Sequence, residues 1–299
     1  MPHDPLLILA LVLVFACVLM AGLWLVQWRR KDASLVDAGW AFGIGVGGVA
    51  ALALGSGDPG RRLIVGALIA AWSLRLTIHL VRDRVIGKPE DGRYQMLRQK
   101  WGARAQPYFF LFFQAQALLV AVFTLPFVAI ARDPTPFGAP GDWCGAVLWL
   151  ASFLGLAYAD YTLARWRGDP AHKGQTCRGG PWRYSRHPNY FCEWLVWCSY
   201  ILLGLGGPWW WLVPPVPILL LLLLVFVTGI PYTEARALAS RGDDYRRYQA
   251  ATSAFIPWFP KRALDPPPPP AARAAPSSPL PSPSAPSIPD PDPDHRGTP

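Results

Sequence analysis

The chain has 299 residues, of which 52% are hydrophobic, with 15 Trp and a formal net charge of +9. Its continuous apolar runs, each about 20 residues long, exclude an alternating β-barrel pattern and point to an all-α, polytopic membrane protein. The positive charge does not mark a nucleic-acid binder, because the Lys and Arg fall in loops between apolar runs, as the positive-inside rule expects.

The first run, Leu6 to Trp28, has no basic segment before it and is followed by Arg29-Arg30-Lys31. That is the reverse of a cleaved signal peptide, so it reads as a permanent helix with its N-terminus outside. The second run, Leu35 to Leu54, is glycine-rich and carries Asp37 near its start. The third, Leu63 to Val81, contains Arg75 and His79. A polar loop, Arg82 to Pro107, leads to a fourth span, Tyr108 to Ala131, where Pro126 predicts a kink. The fifth, Trp143 to Leu163, contains Asp160. A basic loop, Arg165 to Arg186, precedes the sixth, Asn189 to Leu205, and the seventh runs from Pro217 to Ile230. The expected fold is therefore a bundle of about seven transmembrane helices. Residues 1–33 form its first helix and basic flank, and 34–262 its main membrane domain. The segment 263–299, rich in Pro, Ser and Ala, is expected to be disordered.

Segments 29–31, 82–107, 165–186 and 232–262 hold 3, 7, 6 and 6 Lys and Arg, whereas the opposite loops hold Arg61, Arg62 and Arg132. The asymmetry predicts a multi-pass protein, N-terminus outside and C-terminus cytoplasmic, with a bacterial inner membrane as the expected location. The five cysteines include no CxxC pair, so neither a disulfide framework nor a metal site is expected.

Ionisable residues within a bilayer are costly and face a cavity or a partner. Here they are Asp37, Arg75, His79, Asp160 and Glu193, and the predicted topology sets all five towards the cytoplasmic ends of their spans. Each alone is more simply a structural ion pair, and Asp37 is close enough to Lys31 to be interfacial. Arg75 and His79, four apart, share one helix face. At the same level lies Trp182-Arg183-Tyr184-Ser185-Arg186-His187-Pro188-Asn189-Tyr190-Phe191-Cys192-Glu193, where a basic loop meets an apolar span. His187-Pro188 suits a helix start, whose free N–H groups favour a phosphate, with Arg183 and Arg186 adding charge. An interfacial belt of snorkelling Arg, Trp and Tyr accounts for part of this stretch, but not for His187, Asn189 and Glu193. Further on, Tyr245-Arg246-Arg247-Tyr248 reads equally as an amphipathic helix on anionic lipid or as a cofactor contact.

The stretch from Gly180 to Glu193 resembles the signature of the DUF1295 membrane proteins, which are related to steroid 5-alpha-reductases. Ser34-Leu35-Val36-Asp37-Ala38-Gly39-Trp40, Trp72-Ser73-Leu74-Arg75-Leu76, Asp91-Gly92-Arg93-Tyr94, Ala159-Asp160 and Gly229-Ile230-Pro231-Tyr232-Thr233-Glu234 agree with it in order. The resemblance implies a reductase-like membrane fold with NADPH in a cytoplasm-facing cavity, reducing a conjugated carbon–carbon double bond on a steroid-like or isoprenoid lipid. By that likeness Arg186, His187, Asn189, Tyr190 and Glu193 line the cofactor site, and Tyr245, Arg247 and Tyr248 close it; Arg183 joins the cofactor-binding set on its charge. Asp37, Arg75 and His79 are the candidate catalytic residues, on topology. Cys192, Thr162 and Leu156 depart from the family pattern. The alternatives are an S-adenosylmethionine-dependent methyltransferase of the isoprenylcysteine type, which shares an Arg-His-Pro turn, and a non-catalytic lipid-binding protein.

Overall fold

The computed structural model describes residues 4–261, so the segment 263–299 lies outside the described residues. Among the described residues the regular structure is helical, without strands. α1 (Pro5–Arg30) starts at Asp4, whose carboxylate accepts from the Leu6 N–H at 2.9 Å, with Pro5 in the first turn. α2 (Leu35–Ala53) follows a short turn. α3 (Pro59–Arg84) repeats the first device, with Asp58 accepting from the Arg61 N–H at 2.7 Å. The polar loop after α3 contains α4 (Gly92–Trp101), capped by Asp91. α5 (Ala105–Ile130) continues through Pro126, and α6 (Pro140–Gly168) follows. The sequence then gives α7 (Pro188–Leu203), α8 (Pro215–Leu222), a π-helical turn at Leu223–Val227, α9 (Ile230–Arg241) and α10 (Asp243–Ala251).

Among the described residues six helical stretches are long and apolar enough to cross a membrane: α1, α2, α3, Gly92–Ile130, α6 and Trp210–Arg241. Their outer faces are apolar. Leu6, Leu11, Val14 and Val18 on α1, Leu111 and Leu118 on α5, and Val147, Leu150 and Leu154 on α6 are all exposed. Rows of exposed aliphatic side chains along helices of this length suit lipid, not water. The chain is built as an integral, multi-pass membrane protein. α7, the sixth predicted span, has 16 residues, so it is about 24 Å long at ~1.5 Å per residue. It packs along α6, where Gly145 leaves no room for a side chain beside Leu203 and the Ser199 carbonyl.

α2 is the centre of the bundle, in contact with α1, α3 and α5. Its glycines permit that. A Cβ on Gly45 would lie 2.1 Å from Ser73 Oγ on α3, and one on Gly47 would lie 2.8 Å from Thr124 Oγ1 on α5. Small residues let helix backbones approach where no hydrophobic effect drives association. Beside this seam Trp72, Phe123, Phe127, Trp197 and Tyr200 form a buried aromatic cluster of largely edge-to-face pairs.

One end of the bundle is closed by Arg61, which is 2% exposed. Its guanidinium donates to both Asp142 oxygens, at 2.5 and 3.0 Å, to the Leu203 carbonyl at 2.7 Å and to the Thr135 carbonyl at 3.1 Å. The start of α3, the start of α6 and the end of α7 are thereby tied together.

Candidate functional site

The opposite end gathers the C-terminal parts of α3 and α6 and the N-terminal turns of α2 and α7. Asp160, on α6, is the hub. It accepts from Arg75 Nη2 and, at 3.0 Å, from Asn189 Nδ2, while His79 Nε2 lies 3.8 Å away. Arg75 and His79 share a face of α3 because they are one turn apart, and both turn to the same carboxylate. The Arg75 and Asp160 side chains are 17% and 13% exposed, whereas His79 is 39% exposed. Deeper in, Glu193 Oε1 accepts from Trp72 Nε1 at 2.8 Å and from Trp197 Nε1 at 3.2 Å. Trp72 stands one turn before Arg75, so α3 supplies both an indole donor to Glu193 and a cation to Asp160.

Two donors around this cluster are buried and make no hydrogen bond: Arg75 Nη1 and Trp40 Nε1. Trp40 meets Trp72 edge-on, with ring centroids 6.4 Å apart. Leaving a buried donor unpaired costs free energy, so an acceptor placed beside either one would be favoured. The arrangement can therefore stabilise a negatively charged oxygen beside Arg75.

The loop motif does something different. Arg186 Nε donates to Glu234 Oε1 at 2.6 Å, and its Nη1 donates to the Gln249 and Thr252 carbonyls at 2.9 Å each. His187 Nε2 lies 3.2 Å from the same Glu234 oxygen, and Gln249 Nε2 donates to the other at 2.8 Å. Tyr248 Oη lies 2.5 Å from the Trp182 carbonyl, and Tyr190 Oη lies 3.2 Å from Thr233 Oγ1. These contacts lock the loop before α7 onto α9 and α10. Burial pushes the His187 imidazole below its ordinary pKa, against the pull of Glu234. Burial likewise pushes the Tyr245 and Tyr248 hydroxyls up.

Asp37 sits in a third cluster. Its carboxylate accepts from Arg84 at 2.7 Å, Arg93 at 2.6 Å and Tyr94 at 2.7 Å, joining α2 to the end of α3 and to α4.

Of the residues picked out from sequence, Arg75, His79 and Asn189 converge on Asp160, and Glu193 lies beside them among the indoles. Arg186, His187, Tyr190, Tyr245 and Tyr248 belong to the loop lock. Arg183 and Arg247 are exposed on the surface, and Asp37 stands apart from Arg75 and His79. Sequence reasoning missed Trp72 and Trp197 as the partners of Glu193, although the one-turn spacing of Trp72 and Arg75 signals a shared face. It also missed Arg84, Arg93 and Tyr94 around Asp37, and no local spacing reveals those, since they come from separate elements.

The model of a family described as a protein of unknown function, DUF1295, matches residues 23–252, an interval that includes every residue of the three clusters. An uncharacterized protein of Schizosaccharomyces pombe is 28% identical over 221 residues, covering 64% of this chain and 63% of that protein. The match thus spans a little under two thirds of the relative's length.

Proposed function

This chain belongs to the DUF1295 family, and we propose that it is an integral membrane oxidoreductase that uses NADPH to reduce a conjugated carbon–carbon double bond in a steroid-like or isoprenoid lipid. The observation that carries this reading is the partly buried Arg75–Asp160–Asn189 cluster, with Arg75 Nη1 unpartnered among the apolar helices. Charges in such a layer are functional by default, because the apolar surroundings make them costly to keep.

The residues fit the cofactor in part. Arg183 and Arg247 are exposed cations suited to phosphates, and the unpartnered Arg75 donor suits an oxygen near the reacting atoms. Arg186, His187 and Tyr248 are committed to protein partners, so they would position the loop and leave the phosphates to others. NADPH, when bound, supplies the hydride. Arg75 donates to the carbonyl oxygen on which negative charge grows as the double bond is reduced. Asp160 holds its guanidinium in place, and Asn189 in turn holds Asp160. Arginine does not release a proton near neutral pH, so the proton that completes the reduction comes from His79, which is half-exposed and adjacent. The charge of the loops supports an opening on the cytoplasmic side, where NADPH is available.

The test is turnover by purified protein in lipid nanodiscs, read as NADPH loss together with a gain of two hydrogens on an enone lipid. Arg75→Gln should lower kcat by about a hundredfold while leaving NADPH affinity within a few fold. Equal turnover by the variant would remove this cluster from the chemistry. Binding of S-adenosylmethionine in place of NADPH would contradict the reductase reading and favour methyl transfer.

A further inference from the structure

The end of α6 and the loop after it meet the end of α9. A cavity of about 290 Å³ opens there, with Trp166, Arg167, His172, Lys173, Ser240 and Arg241 on its walls. Three of these residues are cationic at pH 7. Three nitrogen atoms of these residues, Trp166 Nε1, His172 Nδ1 and Arg241 Nε, are buried and make no hydrogen bond, although Asp169 stands within ion-pair range of His172 Nδ1. The Trp166 and His172 rings are stacked, so their nitrogens are held in fixed positions.

Arg167 and Lys173 make no ion pair among the described residues. Asp244 is engaged by Arg178 at 2.6 Å and by the Thr176 N–H at 2.8 Å. Asp169 lies 3.5 Å from His172 Nδ1 and is 49% exposed. Like charges around one cavity repel, and unpaired donors are costly, so the walls favour an anion that can accept several hydrogen bonds. A carboxylate has two oxygens in a plane. A phosphate has three terminal oxygens in a tetrahedral array, which suits donors converging from different elements. The cavity is also much larger than the ~30 Å³ taken by one water, so it admits a phosphate with part of whatever carries it.

We propose that the cavity walled by Trp166, Arg167, His172, Lys173 and Arg241 is a binding site for a phosphate monoester, separate from the Asp160 cluster. The ester is either a lipid headgroup or a soluble phosphorylated compound. The proposal does not rest on the reductase reading, since none of these residues takes part in it.

The test uses the full chain in neutral detergent. Thermal unfolding is followed with inorganic phosphate or dioctanoyl phosphatidic acid, against chloride at equal ionic strength and dioctanoyl phosphatidylcholine as controls. Phosphate should raise Tm beyond chloride. Arg167→Gln and Lys173→Gln, both at exposed positions and so compatible with folding, should each weaken phosphate binding by about tenfold. Arg241→Gln should abolish it, and Arg241→Lys should restore part of it. Tighter binding of phosphatidic acid than of inorganic phosphate identifies the lipid source, and the reverse identifies a soluble one; either upholds the site. No stabilisation beyond chloride, or equal stabilisation of wild type and the Arg167 and Lys173 variants, overturns it.

Discussion

Arg61 and Asp142 are each 2% exposed, so neither can fall back on water if its partner is removed. Arg61→Ala should therefore cost about 3–5 kcal/mol, the usual penalty for leaving one partner of a buried ion pair. Arg61→Lys, which keeps the charge but loses the two-pronged contact, should fall between that variant and wild type. Unfolding in mixed micelles measures both. His187 predicts a pH effect of known sign. Its imidazole is held below its ordinary pKa, so an unfolded chain takes up a proton at a pH where the folded chain does not. The stability it contributes is present above the ordinary imidazole value and is lost as pH falls from there towards the depressed folded value. A Tm series from neutral to mildly acidic pH should fall, and His187→Gln should flatten that fall. Spacing one turn apart was enough to set Arg75 and His79 on a common face. It did not reveal that Arg186 turns into Glu234 instead of towards a ligand, because residue type and spacing do not fix the direction of a long side chain.

At the scale of elements, close helix approach at α2 makes a sharp contrast between two glycines. A Cβ at Gly45 would lie 2.3 Å from Ser73 Cβ, while one at Gly66 on α3 would meet only Leu52 Cδ1, at 3.9 Å. Gly45→Ala should reduce the yield of monodisperse protein and lower its Tm, and Gly66→Ala should leave both unchanged; size-exclusion profiles and thermal unfolding decide. Most of the helices were legible as apolar runs, because length and composition suffice where the surrounding solvent is lipid. Two elements were not. α4 lies within a stretch whose polar composition reads as a loop, and only the Asp91 cap hints at its start. α7 reads as a full span but ends at Leu203, before Gly204, with its far end held by Arg61 through the Leu203 carbonyl. That anchor is separated from α7 by more than a hundred residues and has no signature in the local sequence.

At the scale of the molecule, the two ends of the bundle differ in kind. The Arg61 end is a closed, saturated clamp, whereas the other end holds the Asp37 cluster, the Asp160 cluster and the loop lock, with unpartnered donors among them. In the proposed orientation, which the charge bias of the loops supports, the second end would face the cytoplasm. Single cysteines introduced at Lys88 and at Arg132 should react with an impermeant maleimide from opposite faces of sealed vesicles, with position 88 labelled from the cytoplasmic face; the opposite pattern would invert the topology. Use of NADPH as the cofactor is tested most directly by binding. Titrating wild-type protein in detergent with NADPH, NADH and S-adenosylmethionine, followed by nicotinamide fluorescence and calorimetry, should show saturable NADPH binding and no binding of S-adenosylmethionine. Saturable S-adenosylmethionine binding without NADPH binding, or the absence of both, would contradict the account.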